Sequence, residues 1–129
     1  MKDMHIKFVE QTEQSYETVG DYGETGDCIW FKITKFKDHP EYSIAILQHE
    51  IHEFFRNLQE GISIKDVDDF DRNYDYKHGE FKDDVGCDPK APYHSTHMEA
   101  DAIERLSIIF SKADWIAYEK AIKALFPED

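Results

Sequence analysis

From residue 5 to residue 9 the chain alternates, with Ile6 and Phe8 apolar between polar neighbours, and this period of two predicts a short strand. Residues 28–36, Cys-Ile-Trp-Phe-Lys-Ile-Thr-Lys-Phe, are β-branched and aromatic. They set Ile29, Phe31 and Ile33 on one face and predict a second strand, broken by His39-Pro40. Between the two, Gly20 to Asp27 holds three glycines and reads as a turn or loop. Near Tyr42 the period becomes helical. Ile44, Leu47, Ile51, Phe54, Phe55 and Leu58 fall on one stripe up to Gln59, and Gly61 ends the helix. Ser63 and Asp66 resemble a capping box and open a second helix through Ile64, Val67, Phe70 and Tyr74 to about residue 77. Residues 78–92 hold two glycines and two prolines and read as a loop. A third helix follows to Phe110 with the stripe Ala102, Ile103, Leu106, Ile109 and Phe110. Ser111 with Asp114 caps a last one carrying Trp115, Tyr118, Ile122 and Leu125. Strands first and helices afterwards predict an α+β fold: a small N-terminal antiparallel sheet of two to four strands against about four helices. The expected core joins Trp30 or Phe31, Ile51, Phe54, Phe55, Leu58, Phe70, Leu106, Ile109 and Trp115.

The 129 residues fit a single domain over 1–129. At 40% hydrophobic and 14% aromatic, the composition excludes a disordered chain. With 28 acidic against 15 basic residues, the net charge is −13. A surface of that sign repels phosphate backbones, which excludes nucleic-acid binding through a basic groove and suits a cation binder or a basic partner. No apolar run is long enough to span a bilayer, and Met1-Lys2-Asp3-Met4-His5 is not followed by an apolar segment, so a cytoplasmic protein is expected. Cys28 and Cys87 make no disulfide framework and are expected as free thiols.

Charge changes the picture most where it meets histidine. The first long helix contains His49-Glu50-Ile51-His52-Glu53. His49 and Glu53 are one turn apart and opposite the apolar stripe, so imidazole and carboxylate can converge on one ion. Glu50 lies on the flank, where it can face a metal-bound water, and His52 points elsewhere. On the third helix His94, His97, Asp101 and Glu104, spaced by three, four and three, line one edge. The expected site is therefore His49, Glu53 and His97 around a divalent cation, with zinc preferred. His94 would be a fourth ligand or a support, Glu50 the base, and Asp101 an orienting carboxylate; Cys87 is a further thiolate candidate. Asp69, Asp71, Asn73, Asp75 and Glu80 mimic a calcium-loop spacing, but Tyr74 stands where that loop needs glycine, and an acidic helix face is the better account.

Two ligands bracketing a glutamate on one helix, with a later helix His97-Met98-Glu99-Ala100-Asp101, resemble a minimal zincin-type metallopeptidase core; Glu53 stands where that family has a second histidine. Residues 44–120 also resemble small uncharacterised phage and prophage proteins. The similarity runs through the His-Glu-x-x-Glu helix, Ile62-Ser63-x-x-Asp66-x-Asp68-x-Phe70-Asp71, Asp88-Pro89-x-Ala91-Pro92-Tyr93-His94-x-x-His97 and Asp114-Trp115-x-x-Tyr118. These resemblances imply a zincin-like fold and a metal-dependent hydrolase. From other classes, the composition also fits a non-catalytic metal-stabilised interaction module, or an acidic phage-type decoy that mimics nucleic-acid charge. A magnesium pyrophosphatase using Glu50, Glu53, Glu99 and Asp101 is disfavoured by the strands and histidines.

Overall fold

The computed structural model describes residues 2–127. The fold is α+β: three strands, β1 (Asp3–Val9), β2 (Gly20–Thr25) and β3 (Cys28–Thr34), precede four helices, α1 (Pro40–Glu60), α2 (Ile64–Asn73), α3 (His94–Phe110) and α4 (Trp115–Lys123). Among the described residues no helix is long and apolar enough to cross a membrane.

The sheet corrects the antiparallel expectation. Its order is β1-β3-β2, with β1 parallel to β3 and only β2 antiparallel to it. The stretch expected as loop supplies β2, and the turn shrinks to Gly26 and Asp27. A parallel pair normally needs a long crossover. Here β2 is the return strand, laid on the far edge of β3, so ten residues, 10–19, suffice to pass the end of β3. Gln14 ties that link down by donating to the Lys32 carbonyl at 3.2 Å and to Thr34 Oγ1 at 3.1 Å.

Ile29, Phe31 and Ile33 turn inward as expected, beneath α1, which packs on β2 and β3. Met4, Ile6 and Phe8 share that face through their register with β3. They stay exposed because α1 covers only the β2–β3 side. α1 starts at Pro40, whose missing N–H costs nothing in a first turn, and stops at Gly61 in the left-handed conformation. The Ser63–Asp66 capping box forms as read. α2 stops at Asn73, short of residue 77. The cap of α4 is Asp114 alone, accepting from the N–H groups of Ile116 and Ala117, while Ser111 closes α3.

The core is three clusters, not one. Ile33, Tyr42, Ala45, Ile46, Ile108 and Tyr118 form the first; Tyr22, Ile29, Phe31 and Phe54 the second; Val67, Ala91 and Tyr93 the third. Ile51, Phe55, Phe70 and Trp115 reach these clusters only partly buried. Leu58, Leu106 and Ile109, expected inside, are exposed. The cause is the orientation of α3. Its inward row is Thr96, His97, Ala100 and Ile108, and its greasiest row, Leu106, Ile109 and Phe110, faces out. The principal helix contact, α1 on α3, is thus made largely through polar residues.

Candidate metal centre

That polar contact is the site. On α1, residues Ala45, His49, Glu53 and Asn57 recur every four positions and are all buried. On α3, His97 and Asp101 are likewise one turn apart, with Glu104 three residues on. A loop turn at Val85–Cys87 packs on α3 and brings Asp84 and Cys87 to the same place.

The imidazoles of His49 and His97 lie 4.9 Å apart, centre to centre, crossed at 71°. Between them sits the Glu53 carboxylate. Its Oε2 is 3.2 Å from His49 Nε2 and 2.8 Å from His97 Nδ1, and its Oε1 accepts from the Tyr22 hydroxyl at 2.9 Å. Asn57 Nδ2 donates to that hydroxyl at 3.3 Å, and Thr96 donates to Asn57 Oδ1. This chain of buried bonds joins β2, α1 and α3 and locks Glu53 in place.

The far nitrogens of both rings face further carboxylates. His49 Nδ1 is 2.8 Å from Glu104 and 3.3 Å from Asp101; His97 Nε2 is 2.9 Å from Asp84 and 3.6 Å from Asp101. Yet both nitrogens are buried without a hydrogen-bond partner, so these oxygens crowd them without hydrogen-bond alignment. Three overlapping groups have ligand atoms within 4.8 Å of one another: His49, Glu53 and His97; His49, Asp101 and Glu104; and Asp84, Cys87, His97 and Asp101. Such buried groups are compatible with a bound divalent metal. Glu53 is sealed inside, whereas Asp84 is half exposed, so the cluster opens on the Asp84 side. A groove of about 470 Å³, lined by Tyr22, Phe54, Asn57 and Val67, includes none of these ligand atoms.

The electrostatics follow from crowding. Burial alone would lower both histidines, but Glu104 and Glu53 outweigh it at His49, and Asp84 and Glu53 outweigh it at His97. His49 is held well above the usual imidazole range and His97 at about 11. Burial would raise Glu53, but the two imidazoles hold it down at about 2. Burial pushes Glu50 up to about 8, with His49 opposing and Glu53 adding to the rise. Burial also raises Asp101, to about 6.

A sign for pH follows. The raised histidines stabilise the metal-free fold fully below the free-imidazole value of about 6.5, and that contribution is lost as pH climbs through their folded values. Glu50, an acid raised to about 8, acts in the same direction, because the fold prefers its protonated form. The depressed Glu53 loses its contribution only in acid. The urea midpoint of metal-free protein should therefore fall between about pH 6 and pH 9, and Glu50→Gln should flatten part of that fall. A midpoint that holds steady or rises over this range would contradict the arrangement.

His49, Glu53 and His97 converge as their helical spacing predicts. His94 does not join these groups: its Nδ1 meets the Gly86 carbonyl at 3.0 Å and anchors the loop. It lies one turn before His97, at the start of α3, and so reaches the loop backbone instead of the helix interface. His52 points away and meets Glu99 at 2.8 Å. Cys87 does join, its thiol pushed up to about 12 by burial and by Asp84. Asp84 is the residue the sequence reading missed; its only signal was an acidic pair, Asp83-Asp84, just ahead of Gly86. Both cysteines are free.

Fold and site together define an α+β domain with a buried histidine–carboxylate cluster of metal-binding geometry. Comparison with family models, with curated proteins and with solved structures finds no match.

Proposed function

We propose that the protein is a metal-dependent hydrolase of zincin-like arrangement. A divalent cation, zinc in preference for its imidazole donors, is held in the cluster of His49, Glu53, His97 and Asp101. It polarises a water that Glu50 deprotonates. The observation that carries this reading is the pair of buried imidazoles, 4.9 Å apart, whose unpartnered nitrogens face carboxylates. A buried imidazole nitrogen beside a carboxylate, once its proton is released to make way for a cation, is a ligand shielded from competition by water. Glu50 supports the chemical half of the reading: its carboxyl, pushed up to about 8, exchanges its proton near neutral pH, where a general base is most effective.

The test is reconstitution. Protein stripped with a chelator and dialysed against zinc should retain at least one ion per chain by elemental analysis, and should then turn over a member of a panel of chromogenic esters, peptides and phosphoesters. Glu50→Gln should keep the metal and lose the turnover. Failure to retain zinc, manganese or cobalt would reduce the cluster to an ion-pair network between two helices.

A further inference from the structure

We infer that the cluster is a dinuclear centre, in which the Asp101 carboxylate bridges two divalent cations and Glu53 holds both imidazoles from behind. The inference rests on the metal reading above; it adds a second ion and makes Glu53 a support for the two imidazoles instead of a ligand.

The two imidazoles each have one nitrogen on either side of the cluster. On the inner side, His49 Nε2 and His97 Nδ1 meet the same oxygen of Glu53. An ionised carboxylate can only accept, so both rings carry their proton there. When a cation displaces the outer proton, each ring is neutral and its other nitrogen offers a bare lone pair. Those other nitrogens, His49 Nδ1 and His97 Nε2, are the buried ones that lack a hydrogen-bond partner. A metal-bound histidine commonly donates its second N–H to a carboxylate, which sets its tautomer and direction. Here one carboxylate serves two histidines.

The outer distances, from 2.8 to 3.6 Å, bracket the spacing of ligands around one ion. Bonds of about 2.1 Å at roughly 90–110° place neighbouring ligand atoms about 3.0–3.4 Å apart, off the line of a hydrogen bond. Glu104 Oε1 and Asp101 Oδ1 stand 2.8 and 3.3 Å from His49 Nδ1; Asp84 Oδ1 and Asp101 Oδ2 stand 2.9 and 3.6 Å from His97 Nε2. Asp101 thus offers one oxygen to each ring, as a bridging carboxylate does. The donor sets also differ. Asp84, His97, Asp101 and the Cys87 thiol make a four-ligand group with a soft sulfur, which suits zinc. His49, Asp101 and Glu104 make a three-ligand group of nitrogen and oxygen, which leaves coordination positions for water. Glu104 is in turn fixed by the Tyr118 hydroxyl, which donates to its Oε2 at 2.6 Å.

The experiment is a cobalt titration of the metal-free protein, read by bound metal per chain and by the thiolate-to-cobalt absorption band. Two equivalents are expected, one of which brings the band. Asp84→Asn should lose one equivalent together with the band, and Glu104→Gln should lose the other and keep the band. Glu53→Gln should keep both, more weakly. Each variant is checked for folding by circular dichroism, and Asp84, being half exposed in a loop, is the variant least tied to the core. A single equivalent abolished by either histidine substitution would overturn the bridge and leave the metal reading standing, as would loss of all metal in Glu53→Gln. No bound cobalt at all would overturn both.

Discussion

His97→Ala is expected to weaken divalent-metal binding by at least about 100-fold, a loss of roughly 2.7 kcal/mol or more. Its ring reaches Glu53 through one nitrogen and Asp84 and Asp101 through the other, so its loss touches three carboxylates of the cluster. Truncation also removes a donor from a carboxylate that is almost wholly enclosed. Breaking a buried ion pair from one side costs about 3–5 kcal/mol, because the remaining charge has no water to turn to. The metal-free variant should therefore unfold at lower urea as well as bind poorly. His94→Ala is the internal control. Its imidazole bonds the Gly86 carbonyl and belongs to none of the ligand groups, so metal binding should survive with a modest loss of affinity. Competition against a chromophoric chelator measures both variants. Equal losses in the two would show that the ligand assignment on α3 is wrong.

Phe31→Ala should destabilise the fold by about 3–5 kcal/mol. Phe31 is 1% exposed in the middle of β3. Its ring meets Phe54 of α1 edge-on at 5.9 Å and Tyr22 of β2 at 6.4 Å. Tyr22 is also the residue that holds Glu53, so the cavity would open directly behind the site. Leu106→Ala, a change of similar chemistry on a side chain 48% exposed, should cost less than about 1 kcal/mol. Urea unfolding of the two variants compares them directly. Similar losses would mean that α3 buries its apolar row after all.

The helices were legible because their period was. Pro40, Gly61 and Ser63 mark boundaries close to those observed, and the four-residue step from His49 to Glu53 and from His97 to Asp101 is enough to place each pair on one line. The inward direction of α3 was not legible, because burial was assigned to its greasiest stripe. In the fold, His97 is matched by Glu53 of α1, so a polar row faces α1 while Leu106 and Ile109 remain outside. Strand β2 was hidden by its glycines. Gly23 is extended backbone, and its missing Cβ leaves room for the Trp30 ring, which a Cβ would meet at 2.3 Å; only a cross-strand partner reveals that. Asp84 was hidden because a loop residue has no period, and the 12 residues between it and His97 say nothing of their distance in space.

The contact between Gly86 and His97 has its consequence in the entropy of the site. A Cβ on Gly86 would stand 2.4 Å from the imidazole Cγ, so the ring lies flat on bare backbone. Glu53 holds one ring nitrogen, and the edge of Tyr93 closes a further side at 6.0 Å between centres. A side chain walled in this way has surrendered its rotamer freedom during folding. A cation arriving later finds a ligand that needs no ordering, and the association keeps the free energy that a mobile histidine would have spent on being brought to rest.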